Sequence, residues 1–186
     1  MLSFAPPRHA TSNEKSLLEH TILKTQRLHL EHIGEEHKSD LFKLLANPEV
    51  HKFFPSPLGR KEAEAFFDKI QLRYQQDGFA FWAVIRTIDN AFLGICGLLS
   101  QQIEGEIEIE VGYRLSNEYW GQGYGTEAAR ACIDYAQENL HVSSIISLIR
   151  SINLPSIRVA EKNGLKLEKE VLFHDLPHLV YRLYFN

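Results

Sequence analysis

Two neighbouring stretches, Glu110-Val-Gly-Tyr-Arg-Leu115 and Trp120-Gly-Gln-Gly-Tyr-Gly-Thr-Glu-Ala128, decide the reading of this chain. Charged and apolar residues alternate from Glu106 to Val111, within a strand pattern that runs to Leu115, which is the signature of a strand with one wet face. The strand runs into a loop with glycines at 121, 123 and 125, and a helical pattern begins at once. Glycines let successive backbone N–H groups turn toward one point. A helix N-terminus adds free N–H groups and a positive dipole end. A plain tight turn or a phosphate cradle both fit that spacing. The third glycine comes one residue too early for a dinucleotide fingerprint, and no Lys follows a glycine as a P-loop requires.

Upstream, Arg27 to Ile33 reads as a strand, with Leu28 and Leu30 on one face. Helices are expected over Lys38 to Ala46, stopped by Asn47-Pro48, and over Lys61 to Gln76, stopped by Asp77-Gly78. Strands follow at Phe79 to Ile88 and Phe92 to Leu99, joined by a tight Asp89-Asn90 turn. Downstream, a helix is expected over Thr126 to Asn139, then a strand over Ser144 to Ile149 and a helix over Pro155 to Lys162 that Asn163-Gly164 ends. The last strands are Leu165 to Phe173 and Leu179 to Phe185. Hairpins flank one helical crossover, so the fold class is α/β. The sheet should be mixed and mostly antiparallel, with a central β-α-β crossover and helices on both faces.

Composition sets outer limits. With 186 residues, a formal net charge of −4 and 44% apolar residues, the chain fits one ordinary globular domain. Residues 1–20 read as a flexible tail and 21–186 as the domain. The mildly acidic balance gives no global footprint for nucleic acid. No apolar run approaches the roughly 20 residues that span a bilayer. Two cysteines, Cys96 and Cys132, cannot build a disulfide framework, and both sit in apolar patterns that read as core. The expectation is a cytoplasmic protein without a metal.

Several segments together resemble the GNAT acetyltransferase superfamily, and most of all its ribosomal-protein-alanine N-acetyltransferase branch. They are Trp120 to Ala128, Glu110-Val-Gly-Tyr113, Asn153-Leu-Pro-Ser156 with Glu161-Lys-Asn-Gly164, Thr25-Gln-Arg-Leu28, Asn47-Pro-Glu-Val50, Trp82-Ala-Val84 and Leu93-Gly94 with Gly97-Leu98. The resemblance covers nearly everything from Thr25 to Phe185 and implies the GNAT fold and acetyl-CoA as co-substrate. It assigns the CoA pyrophosphate to backbone N–H groups of Gln122, Gly123, Gly125 and Thr126, with Tyr124 between them. It assigns the pantetheine arm to the backbone of Val111, Tyr113 and Leu115, splayed from the next strand, and to Asn153.

The catalytic tyrosine of many members would fall at Ala160, which has no proton to give. Ser156 is the candidate to assist the departing thiolate, against the alternative of a helix-start residue bonding its own backbone. Glu110 is the candidate base, whereas Glu106 and Glu108 read as solvated. An α-amine with a pKa near 8 needs less help than a lysine near 10.4. By resemblance the expected acceptor is a protein N-terminus, ribosomal or other. The alternatives are a polyamine, an aminoglycoside, or no acceptor at all in a silent acyl-CoA-binding module. The expected assembly is a monomer or homodimer. His174 and His178 are four residues apart but flank a turn, and no third ligand is evident. The segment His51 to Pro57 reads either as core plugs or as one wall of the acceptor pocket.

Overall fold

The computed structural model describes residues 21–185, so the expected tail at 1–20 lies outside the described residues. Its strands are β1 (Thr21–Lys24), β2 (Leu28–His32), β3 (Phe81–Arg86), β4 (Ala91–Ile103), β5 (Glu106–Leu115), β6 (Ser144–Ile149), β7 (Lys166–Phe173) and β8 (Leu176–Tyr184). They form one 8-stranded sheet in the order β1-β2-β3-β4-β5-β6-β8-β7. The helices are α1 (Lys38–Ala46), α2 (Pro48–His51), α3 (Arg60–Gln76), α4 (Tyr124–Asn139) and α5 (Leu154–Lys162). Every strand pair is antiparallel except β5 with β6, which α4 connects. This is the mixed sheet with one crossover that the pattern predicts.

Strand side chains alternate between faces, and the two faces feed different cores. Leu28, Leu30, Trp82, Val84, Leu93, Cys96 and Leu98 pack with Ala128, Cys132 and Ile133 of α4. Ala83, Ile85 and Ile95 point the other way and pack with Leu41, Leu45, Val50, Phe67 and Ile70 of α1, α2 and α3. Helices therefore cover both faces. Cys96 and Cys132 are buried side by side, with Sγ atoms 3.5 Å apart.

Several details differ from the pattern-based reading, among them β4, which runs on to Ile103 rather than Leu99, and β8, which starts at Leu176 rather than Leu179. The short edge strand β1 was not expected, because none of its four residues is buried. The α2 turn was not expected either: Asn47 ends α1, and its side chain then accepts from the Glu49 amide to start a new helix with Pro48 at its first position. Helix α4 begins at Tyr124 rather than Thr126, so two of the loop residues belong to its first turn.

Candidate active site

The parallel ladder between β5 and β6 is a single pair, Glu110 opposite Ile146. Beyond it the strands part. Ser147 Oγ donates to the Val111 carbonyl at 3.1 Å, and Trp120 Nε1 donates to the Leu115 carbonyl at 2.9 Å. Those two bonds show that Val111 and Leu115 turn their backbone groups toward the opening. Tyr113, of the same parity, turns its backbone the same way. The fork opens into a cleft of about 860 Å³. Glu110, Gly112, Tyr113, Gly123, Asn153 and Ser156 all line it.

Glu110 sits at the vertex of the fork and is only 8% exposed. Gln101 Nε2 donates to one carboxylate oxygen at 2.7 Å, and the Leu148 amide donates to the other at 3.4 Å. Burial raises its pKa from 4.5 to about 7, and these two donors with Arg73 only partly offset the rise. A carboxyl poised at that value can take and release a proton near neutral pH. The other strand carboxylates behave differently. Glu108 is bound by Arg182 at 2.7 Å, while Glu106 is exposed. The solvated-face reading holds for Glu106, and an ion pair engages Glu108.

On the α4 side of the fork, Gly121 and Gly123 have φ of +74° and +82°, a region that side chains with a Cβ rarely adopt. Gly123 is the residue that caps α4. Tyr124, Gly125 and Thr126 then form the first turn, so their N–H groups head the helix at the cleft. Gln122 precedes them and uses its own side chain to reach the Glu118 carbonyl.

A brace behind this loop escaped pattern reading. Arg27 donates from Nη1 to the Gln122 carbonyl at 3.0 Å and from Nε to Glu127 at 2.7 Å. Its guanidinium lies 4.4 Å from the centre of the Tyr124 ring. Thr25 donates to the same Glu127 at 2.6 Å. Burial pushes the Glu127 carboxyl up, but bonds from Thr25 and Arg27 outweigh it and hold it below its ordinary value. The Thr25-Gln-Arg-Leu28 motif thus clamps the start of α4. Its signal in the sequence was the motif itself, which names no partner.

Across the fork, Asn153 caps α5 by accepting from the Ser156 amide at 3.2 Å. This cap occupies the Asn153 side-chain oxygen and leaves its amide NH₂ for other partners. Tyr113 Oη donates to the Ser156 carbonyl at 2.8 Å, linking the splayed strand to the helix start. Burial holds the Tyr113 phenol protonated far above neutral pH. Ser156 is therefore inside the first turn rather than at the cap, and it borders the cleft.

His174 on the β7–β8 turn and His178 on β8 border the cleft, with both rings against Phe173. Among the described residues no group of three His, Cys, Asp or Glu side chains is placed to hold a metal. Phe53, Phe54 and Pro55 line the opposite wall, so the His51–Pro57 segment contributes to the pocket. Among the described residues no helix is long and apolar enough to cross a membrane.

This combination of splayed parallel strands, glycine loop and helix start belongs to a known class. The family model for the acetyltransferase (GNAT) domain matches residues 27–166, and the chain belongs to that family. It is an acyltransferase whose chemistry is acetyl transfer to an amine. A Bacillus subtilis protein, the uncharacterized YkkB, is 33% identical over 87% of this chain and 94% of its own length. The fold is also that of an acetyltransferase from Agrobacterium tumefaciens, with TM-score 0.78, 24% identity and coverage of 100% and 98% of the two chains. It is shared by RimL, a ribosomal alpha-N-protein acetyltransferase in complex with coenzyme A, with TM-score 0.71, 18% identity and coverage of 88% and 97%.

Proposed function

We propose that this protein transfers acetyl from acetyl-CoA directly to an α-amine, a protein N-terminus being the preferred acceptor. The observation that carries the proposal is the fork itself: strands part immediately after the buried Glu110 carboxylate. RimL, which shares the fold and acts on a protein N-terminus with coenzyme A bound, supports both co-substrate and acceptor.

The pyrophosphate of acetyl-CoA is held by N–H groups of Gln122, Gly123, Tyr124, Gly125 and Thr126. The pantetheine arm lies along the backbone of Val111, Tyr113 and Leu115 and meets the Asn153 amide. The amine attacks the thioester carbonyl carbon, and a backbone N–H of β5 stabilises the developing oxyanion. Glu110 takes the amine proton, directly or through a water. The C–S bond breaks, and Ser156 hydrogen-bonds the departing thiolate. Tyr113 fixes the backbone of Ser156 and so positions it.

The charge of the cleft favours this acceptor over polycations. Among the described residues that line it, Glu110 is the one carboxylate, against Lys69, Arg73, Arg114, Arg150, Arg158 and Lys162. A polyamine or aminoglycoside site would need acidic walls to hold several ammonium groups. Peptides with free and with blocked N-termini, incubated with acetyl-CoA and read by mass, test the proposal. Acetylation confined to free α-amines is expected. Acetylation of lysine side chains or polyamines in preference would overturn it.

A further inference from the structure

Arg114 is a half-buried cation that lines the cleft, without an anion among the described residues. It lies four residues beyond Glu110 on β5, with Gly112 between them, so all three share one strand face. That face is turned toward α2 and α3, away from the glycine loop at the start of α4. The guanidinium lies 4.0 Å from the Phe54 ring centre and 5.6 Å from that of Phe66. Among the described residues no carboxylate lies within ion-pair distance of it. Its Nε is buried with no hydrogen-bond partner at all.

Among the described residues its one polar contact is His51 Nε2, 3.2 Å from Nη1. The other ring nitrogen, Nδ1, lies 2.9 Å from the Ser56 carbonyl. A carbonyl can only accept, so Nδ1 carries the proton and Nε2 accepts from Arg114. The ring is neutral in that arrangement. Burial, reinforced by Arg114 itself, holds the His51 pKa below its ordinary value. The imidazole therefore does not neutralise the guanidinium. Taking even part of an arginine out of water without a counter-charge is costly, and that cost is recovered when an anion arrives.

We infer that Arg114 reads a carboxylate on the acceptor, placed beside the amine that Glu110 deprotonates. Gly112 supports this geometry. A Cβ there would stand 3.1 Å from the Phe81 ring, so its absence lets that ring lie over Gly112, and both residues line the cleft between the two charged side chains. The acceptor thus presents its amine toward Glu110 and its carboxylate toward Arg114. Either the acidic side chain of an N-terminal Asp or Glu or the α-carboxylate of a free amino acid supplies that anion. The guanidinium fork suits a planar carboxylate in either case. The inference rests on the amine-acetylation reading above and narrows it to acidic acceptors.

The test measures kcat/KM for isosteric pairs: a peptide amide beginning with Glu against one beginning with Gln, and free glutamine against glutamine amide. The wild-type protein should prefer the carboxylate member of at least one pair by about 10- to 100-fold, the value of a charge-assisted hydrogen bond. Which pair shows the preference identifies the source of the carboxylate. In Arg114→Gln the preference should fall to near unity while acetyl-CoA affinity by calorimetry stays at the wild-type value. Arg114→Lys should restore part of it. Equal rates within both pairs for the wild-type protein overturn the inference whether or not the variants fold, and leave amine acetylation standing. A preference that survives in folded Arg114→Gln also overturns it. Thiol release with no amine from any pair would instead overturn the underlying reading, and the inference with it.

Discussion

Replacing Glu110 by Gln should damage catalysis and stabilise the fold, and the two effects should depend on pH in linked ways. Burial raises the Glu110 pKa from 4.5 to about 7. Below about pH 4.5 the carboxyl is protonated in both the folded and the unfolded chain. Between 4.5 and 7 the folded chain keeps a proton that the unfolded chain has lost, so stability falls as pH rises. Above 7 both are ionised and the full deficit is present, on the order of 3 kcal/mol at about 1.4 kcal/mol per pH unit. Glutamine has no such slope. It can still accept from the Leu148 amide, and the Gln101 amide can turn over to accept from the new NH₂. The stability difference between variant and wild type should therefore widen in favour of the variant by about 2–3 kcal/mol from pH 5 to pH 8. For a chain of this size that amounts to roughly 4–12 °C in Tm. Urea unfolding of both proteins at the two pH values measures it. In the same samples kcat/KM should drop by about 10²-fold near neutral pH, the low end for a general base. That deficit should shrink as pH approaches the pKa of the acceptor amine. A stability difference that does not change with pH would refute the desolvated-carboxyl argument. An unchanged kcat/KM would refute the role of Glu110 as base.

Gly125 is in the first turn of α4, and a Cβ there meets nothing closer than Leu115 Cδ1 at 3.6 Å, so Gly125→Val should fold. Its branched methyls would stand over the helix start, and acetyl-CoA affinity by calorimetry should fall by about 10-fold or more. Ser156→Ala should lower kcat by about 10-fold with little change in KM for acetyl-CoA, because the lost bond forms as thiolate charge develops. Steady-state kinetics under conditions where chemistry limits the rate will show it, and wild-type turnover would leave Ser156 a structural residue. Arg27→Met should raise KM for acetyl-CoA several-fold while kcat holds, since Arg27 braces the loop from behind.

The course of most elements was legible because their burial is periodic. Helix α1 keeps Leu41, Leu44 and Leu45 inward, and β6 is apolar along most of its length. The start of α4 was misplaced because Gly123 and Gly125 have no side chains to mark a helix face. Glu110 could be picked out because the motif set it beside the glycine loop. The fork was expected by resemblance alone, since a missing ladder leaves no mark on side-chain pattern. Arg114 escaped notice for a different reason. In an alternating strand it looks like one more solvated charge, and only the folded chain brings Phe54 and Phe66 against its guanidinium and partly shields it.

Direct transfer inside the fork is the central claim, and one measurement addresses it. The protein is mixed with a several-fold excess of acetyl-CoA, first alone and then with an α-amine peptide, while free thiol is followed in time and the intact protein mass is recorded. The account predicts no thiol burst and no added mass without the amine, then thiol release matched one for one by acetylated peptide. A stoichiometric burst without the amine, with one acetyl group on the protein, would mean a covalent acyl-enzyme and would contradict it.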